Sequence, residues 1–197
     1  MNDEKNKKDI ECILNDIIIE KKENDNVLSI RDCIKQFMNI ETLEGSEACV
    51  CNNCTKIRYG EQKDEDSKNK KVVYRRIQKR YFVENTPKIL VVNIKRFIIM
   101  DNYGHVVKSD KFVDFQQFLK LNPYLSPIDH DKDSQHFYRL YGVVVHSGFS
   151  IQSGHYFSYI SRKMGEWFYA SDSIIRPSDW NEVKRSLPYL LFYEIVK

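Results

Sequence analysis

His155, Asp172 and the pair Cys51 and Cys54 are the side chains of this sequence whose types and spacing could do chemistry. His155 stands where a small, polar loop at 147–154 re-enters a β-forming segment, and loop edges on a sheet commonly display reactive groups. An imidazole titrates near neutral pH, so a histidine there can serve as a general base. The alternative is a structural histidine partly buried in the sheet, and the residue alone does not choose between them. Asp172, with Ser171 before it, closes the next β segment. Antiparallel pairing of the two segments brings this carboxylate within reach of the imidazole, where it can fix the tautomer and balance the imidazolium. Such a pair activates a serine or cysteine nucleophile, and a thiol is the easier to ionise.

Cys51-Asn52-Asn53-Cys54 has the knuckle spacing that lets two thiolates hold one zinc ion. A structural zinc needs four ligands, and the sequence carries no second Cys-x-x-Cys. Cys49 shares a face with Cys51 if the segment is extended, so it is a candidate third ligand. A redox dithiol is the rival reading, although the βαβ pattern that usually carries one is missing. The pair reads as half of a structural zinc site, and no cofactor is expected for catalysis.

The elements that must position these residues are mostly strands. Segments 138–146 and 156–160 are rich in β-branched and aromatic residues and flank the loop. Residues 167–170 form another strand, 188–196 an aromatic-rich one, and 88–99 a nearly continuous β-forming run behind Pro87. That run reads as a strand buried on both faces. Residues 72–83 read as a strand with one wet face. Ser29 is a candidate N-cap for a helix over 29–38, with Asp32 in the place of the usual Glu or Gln. Cys33 on that helix reads as a small buried hydrophobe. Ser178 is a second candidate cap, before 179–185. The 10–20 segment ends in a β-branched run, and Asp101–Gly104 reads as a hairpin turn. Several strands with few helices predict a sheet-dominated α+β domain.

Composition narrows the partners. The 31 Lys and Arg against 28 Asp and Glu leave a net charge of +3, too weak a field to argue for nucleic acid. No apolar run approaches the roughly 18 residues of a membrane span, and the charged start at 1–9 is unlike a secretory signal. An odd count of 5 cysteines argues against a disulfide framework and for a reducing compartment, cytoplasmic or nuclear.

Taken in order, several motifs resemble the C-terminal half of the catalytic domain of the ubiquitin-specific proteases. The histidine box is matched by Tyr138-x-Leu140-Tyr141-Gly142-Val143-Val144, by His146-Ser147-Gly148 and by Gly154-His155-Tyr156-x-x-Tyr159. Trp167, Ser171-Asp172 and Tyr189-Leu190-Leu191-Phe192-Tyr193-Glu194 follow in order. Pro87-Lys88-Ile89-Leu90 and Ile94-Lys95-Arg96-Phe97 resemble the strand before that box, and Cys51–Cys54 falls where many members carry the second knuckle of a fingers subdomain. The resemblance implies a papain-like cysteine peptidase fold present as its partial fingers (10–86) and palm (87–197). It implies a deubiquitinating thiol protease fragment that acts after the C-terminal glycine of ubiquitin, with ubiquitin or ubiquitin-conjugated proteins as partners.

Within that resemblance His155 is the general base, Asp172 is expected to orient it, and Ser171 assists, although the family's third triad residue, an Asp or Asn, aligns with Ser171. The loop 147–153 is expected to cover the extended tail of ubiquitin, bordered by His146, Ser147, Gly148, Gly154 and Tyr156. A structural role for His146 inside the sheet stays open, and Tyr156, Tyr159, Trp167 and Phe192 read as core aromatics. The family's Gly-Asn-x-Cys box, which supplies the nucleophile, has no match, and neither has its first zinc knuckle. The chain by itself is therefore expected to be inactive and prone to aggregate. The alternative is an inactive ubiquitin-binding or scaffolding module.

Overall fold

The computed structural model describes residues 27–61, 70–100, 104–127 and 136–196. The segments 1–9 and 10–20 lie outside the described residues. The backbone contacts divide the chain into a unit at Lys35–Phe82 and a second made of Met1–Ile34 with Val83–Lys197.

Helix α1, Ile30–Phe37, begins at the capping box expected from Ser29. The Asp32 amide donates to Ser29 Oγ at 3.2 Å, and Asp32 Oδ2 accepts the Ser29 amide at 3.1 Å. The shorter aspartate therefore closes the reciprocal box that a glutamate usually makes. Cys33 is half-buried against the core.

In the 35–82 unit, β1 (Glu41–Leu43) and β2 (Cys49–Val50) precede α2 (Asn52–Tyr59), and β3 (Tyr74–Arg75) and β4 (Ile77–Lys79) follow it. The single strand expected over 72–83 is thus two short ones. They differ in partner, β4 pairing with β1 and β3 with β2. Thr55 is the one buried side chain among the described residues of this unit.

The larger unit is built on an antiparallel sheet. Its strands are β5 (Ile89–Asn93), β8 (Phe118–Lys120), β9 (Phe137–Ser147), β10 (His155–Lys163), β11 (Glu166–Ser171), β12 (Ile174–Ser178) and β13 (Pro188–Val196), while β6 (Phe97–Ile99) and β7 (Val106–Lys108) form a separate hairpin. The order is β12-β11-β10-β9-β13-β5, with β8 also paired to β9. One face of β9, β10 and β13 carries Val143, Val145, Tyr159 and Leu191 into a core that also holds Ile30, Phe115, Trp167 and Val183.

The 88–99 run departs from expectation. It breaks at Lys95 and Arg96, and β5 is a sheet edge with Ile89 and Val91 exposed, not a strand buried on both faces. Arg96 explains the break. Only 2% exposed, it turns its guanidinium inward, giving Nε to the Pro188 carbonyl at 2.7 Å and Nη1 to the Ser109 and Lys111 carbonyls at 3.0 and 2.9 Å. A buried cation needs that many acceptors, and a regular strand does not offer them. The second helix cap is also shifted. Asp179, not Ser178, accepts the Glu182 amide at 2.9 Å and starts α3 (Trp180–Val183), while Ser178 ends β12. Of the turn expected at Asp101–Gly104, residues 101–103 lie outside the described residues, and β6 and β7 pair antiparallel.

Candidate active site

Register places the histidine. His155 is the first residue of β10 and pairs with Ser147, the last residue of β9. β10 and β11 pair through Tyr159 and Tyr169, and side chains two apart share a face. His155 and Ser171 therefore fall on the face that carries Phe157, Tyr159 and Tyr169. His155 Nε2 lies 2.6 Å from Ser171 Oγ. Asp172 Oδ2 lies 3.8 Å from the same nitrogen, which is ion-pair range but beyond a hydrogen bond.

The expected order of the two partners was Asp172 before Ser171, and the distances run the other way. Ser171, not Asp172, holds the imidazole directly. Asp172 occupies the β11–β12 turn with φ +47°, a left-handed conformation that aspartate tolerates better than most residues. Its side chain is 81% exposed, and so free of the packing that would fix it on the ring.

The loop before His155 has a pinched neck. Gly148 has φ +148°, and a Cβ there would lie 2.7 Å from Gly154 Cα. A Cβ on Gly154 would lie 2.2 Å from His146 Nε2. Both positions therefore need glycine, one for backbone conformation and both for close approach. His146 is 4% exposed, packed against Tyr156 at 4.7 Å and Phe97 at 5.5 Å between ring centroids. Burial and the nearby Lys108 charge push its pKa down. Tyr156 is 52% exposed, against the expectation of a core aromatic, whereas Tyr159 and Trp167 are buried and Phe192 is half-buried. Val145, Ser147, Gly148, Phe149, Phe157 and Tyr159 line an open cleft of about 600 Å³ on the His155 face.

A carboxylate that sequence reasoning passed over braces the hairpins from below. Glu182 on α3 accepts Arg176 Nη1 at 3.0 Å and Nη2 at 2.6 Å, Ser178 Oγ at 2.8 Å and Tyr159 Oη at 3.2 Å. Arg176 also lies over the Tyr169 ring, 4.4 Å from its centroid. The Arg176 pair, with the Ser178 and Tyr159 donors, lowers the Glu182 pKa to about 2. Burial and the Glu182 charge push Tyr159 up to about 12. Glu182 left no mark in the sequence because it binds across three elements.

Cys51 and Cys54 sit in the other unit. Cys51 caps α2, its Sγ accepting the Cys54 amide at 3.5 Å. Hydrogen bonds from Cys54, backbone first, lower its pKa. Arg75 Nε lies 3.4 Å from Cys54 Sγ. Among the described residues no group of three His, Cys, Asp or Glu side chains is arranged to hold a metal.

His155 is thus a strand-borne, half-exposed imidazole held through Nε2. Comparison with known proteins gives the family. The sequence model for "Ubiquitin carboxyl-terminal hydrolase" matches residues 4–193, and the chain belongs to that family. It is 33% identical over 201 residues to the probable ubiquitin carboxyl-terminal hydrolase 7 of Schizosaccharomyces pombe, covering 84% of this chain and 23% of that protein. It is 30% identical over 175 residues to human ubiquitin carboxyl-terminal hydrolase 3, covering 88% of this chain and 30% of that one. The fold is similar to the SAGA Ubp8/Sgf11/Sus1/Sgf73 DUB module bound to ubiquitin aldehyde, with a TM-score of 0.67 at 25% identity over 88% of this chain and 35% of that chain. The chain thus spans under a third of the length of these curated relatives. Among the described residues no helix is long and apolar enough to cross a membrane.

Proposed function

We propose that this chain supplies the base half of a deubiquitinating thiol protease, with His155 acting on a cysteine contributed by a further segment. The observation that carries the reading is the 2.6 Å contact between His155 Nε2 and Ser171 Oγ on an exposed strand edge. With Nε2 protonated and donating to Ser171, Nδ1 keeps its lone pair. It takes the thiol proton, then returns it to the leaving lysine amine once the thiolate has attacked the ubiquitin C-terminal carbonyl. In this tautomer the Ser171 hydroxyl accepts the Nε2 hydrogen, and the Asp172 carboxylate, an acceptor only, favours the hydrogen on that nitrogen. Asp172, at 3.8 Å, supplies countercharge when the imidazolium forms. A hydroxyl and a carboxylate thus divide the task that one Asp or Asn performs in the family pattern.

Ubiquitin is the proposed partner, its extended tail passing the loop 148–154 and the exposed Tyr156. Support comes from family membership and from the similar module whose structure holds ubiquitin aldehyde. Titrating ubiquitin into the isotopically labelled chain tests this part. Amide signals of 146–156 should shift selectively, and a spectrum unchanged at millimolar ubiquitin contradicts the reading. A structural zinc at Cys51 and Cys54 is proposed only with donors from outside the described residues.

A further inference from the structure

We propose that Lys108 is a positioning residue whose ammonium latches the neck of the loop 148–154 and thereby sets the approach of that loop to His155. The functional meaning of the latch rests on the reading above, in which this loop covers an extended peptide. Its existence does not.

Lys108 ends β7, and its side chain is only 7% exposed. Nζ donates to the His146 carbonyl at 2.9 Å and to the Gly148 carbonyl at 2.7 Å, with Asp110 Oδ1 at 3.6 Å. The two acceptors flank Ser147, whose pairing with His155 is the last rung between β9 and β10. One cation thus bridges the end of the ladder and the first residue of the loop.

The loop has little else to hold it. Its neck is made of Gly148 and Gly154, which bring no side chains to pack. Its internal side-chain bonds are those of Ser150 with Ser153, between hydroxyls at 3.0 Å and from the Ser153 amide at 3.1 Å. Phe149 is 93% exposed and Ile151 58%, so neither anchors the loop in the core. The restraint comes from outside, through Lys108. Phe97, opposite Lys108 in the β6–β7 pair, packs edge-on against His146, so the hairpin grips the same strand end twice.

Stability alone does not call for a lysine here. Burying an ammonium costs solvation that two carbonyl bonds only partly return, and an apolar side chain of similar length would fill the space without it. What the apolar chain cannot do is fix two backbone carbonyls at one point. A latch of this kind sets loop geometry, and through it the entry of His155 into β10.

The test is amide hydrogen exchange on the full chain, compared with Lys108→Met and Lys108→Arg. Lys108→Met should speed exchange at 148–154 by about tenfold or more relative to amides of β9, β10 and β13, as local opening does. Lys108→Arg, which keeps charge and donors, should restore at least part of the protection. Equal effects of Met and Arg, a uniform change across the sheet, or no change overturns the latch. Should Lys108→Met fail to fold, the ammonium nitrogen signal of Lys108 in the unaltered chain decides. Slow hydrogen exchange at Nζ upholds the latch, and exchange as fast as at exposed lysines refutes it. None of these readouts involves ubiquitin. A chain that ignores ubiquitin but loosens in Lys108→Met therefore refutes the functional reading and leaves the latch standing.

Discussion

His155 and Cys51 each stand at the edge of a regular element, one opening a nine-residue strand and the other capping an eight-residue helix. What lies behind them differs. Behind His155 is a strand paired to β9 and β11, backed by Val143, Tyr159 and Trp167, each buried to 5% exposure or less. Behind Cys51 is a helix with only Thr55 buried, whose side chain accepts the Val73 amide at 2.9 Å. The histidine stands on a sheet with a buried core behind it, and the thiols on a short helix tied to the chain through Val73 and Arg75 with almost no core behind it. A rigid sheet can hold an imidazole to the tolerance that proton transfer needs. A cysteine pair with so little buried around it is better matched to binding that completes its own structure.

If this contrast is right, substitutions should act strongly around His155 and weakly around Cys51. Where the chain is joined to the nucleophile segment proposed above, His155→Ala should lower turnover of a ubiquitin C-terminal amide by about 10³-fold or more, the scale of a lost general base, with substrate affinity retained. Gly154→Ala comes next. Its Cβ meets the buried His146 ring and the Ser147 carbonyl, overpacking that costs about 1–3 kcal/mol, readable as a lower urea midpoint. Ser171→Ala should cost more turnover than Asp172→Ala, about tenfold against a few-fold, since only Ser171 bonds the ring.

The smallest effect is expected at Glu182. Its folded pKa of about 2 lies below the ordinary 4.5, so the unfolded chain takes up this proton first as pH falls. The clamp therefore stabilises fully above about pH 4.5 and is lost between there and pH 2, and its partly exposed setting keeps the contribution modest. Denaturation across pH checks this, because Glu182→Gln should flatten that limb by lowering the plateau above about pH 4.5, while leaving stability near pH 2 nearly unchanged. Cys54→Ser, by contrast, should leave the His155 signals where they are. A shift there would erase the contrast between the two regions.

The sheet was legible in the sequence because its strands alternate and carry β-branched and aromatic weight. β9, β10, β11 and β13 fall close to where the pattern puts them. The break at Arg96 was not legible, since a charge in an apolar run gives no sign of three carbonyls waiting for it. The choice between Ser171 and Asp172 was hidden for a related reason. Both stand beside the strand end, and only the left-handed turn at Asp172 swings the carboxylate outward. Lys108 reads as an ordinary strand-end lysine until its two carbonyl partners, some 40 positions away in sequence, are brought to it.

The ring nitrogens of His155 offer the most direct test of the central claim, that Ser171, with Asp172 behind it, pre-sets the imidazole as a base through Nδ1. Nitrogen NMR of the labelled chain, above the imidazole pKa, should show Nε2 protonated and Nδ1 bare, with Ser171→Ala mixing the two tautomers. A hydrogen on Nδ1 in the unaltered chain, or a tautomer indifferent to Ser171→Ala, would contradict it.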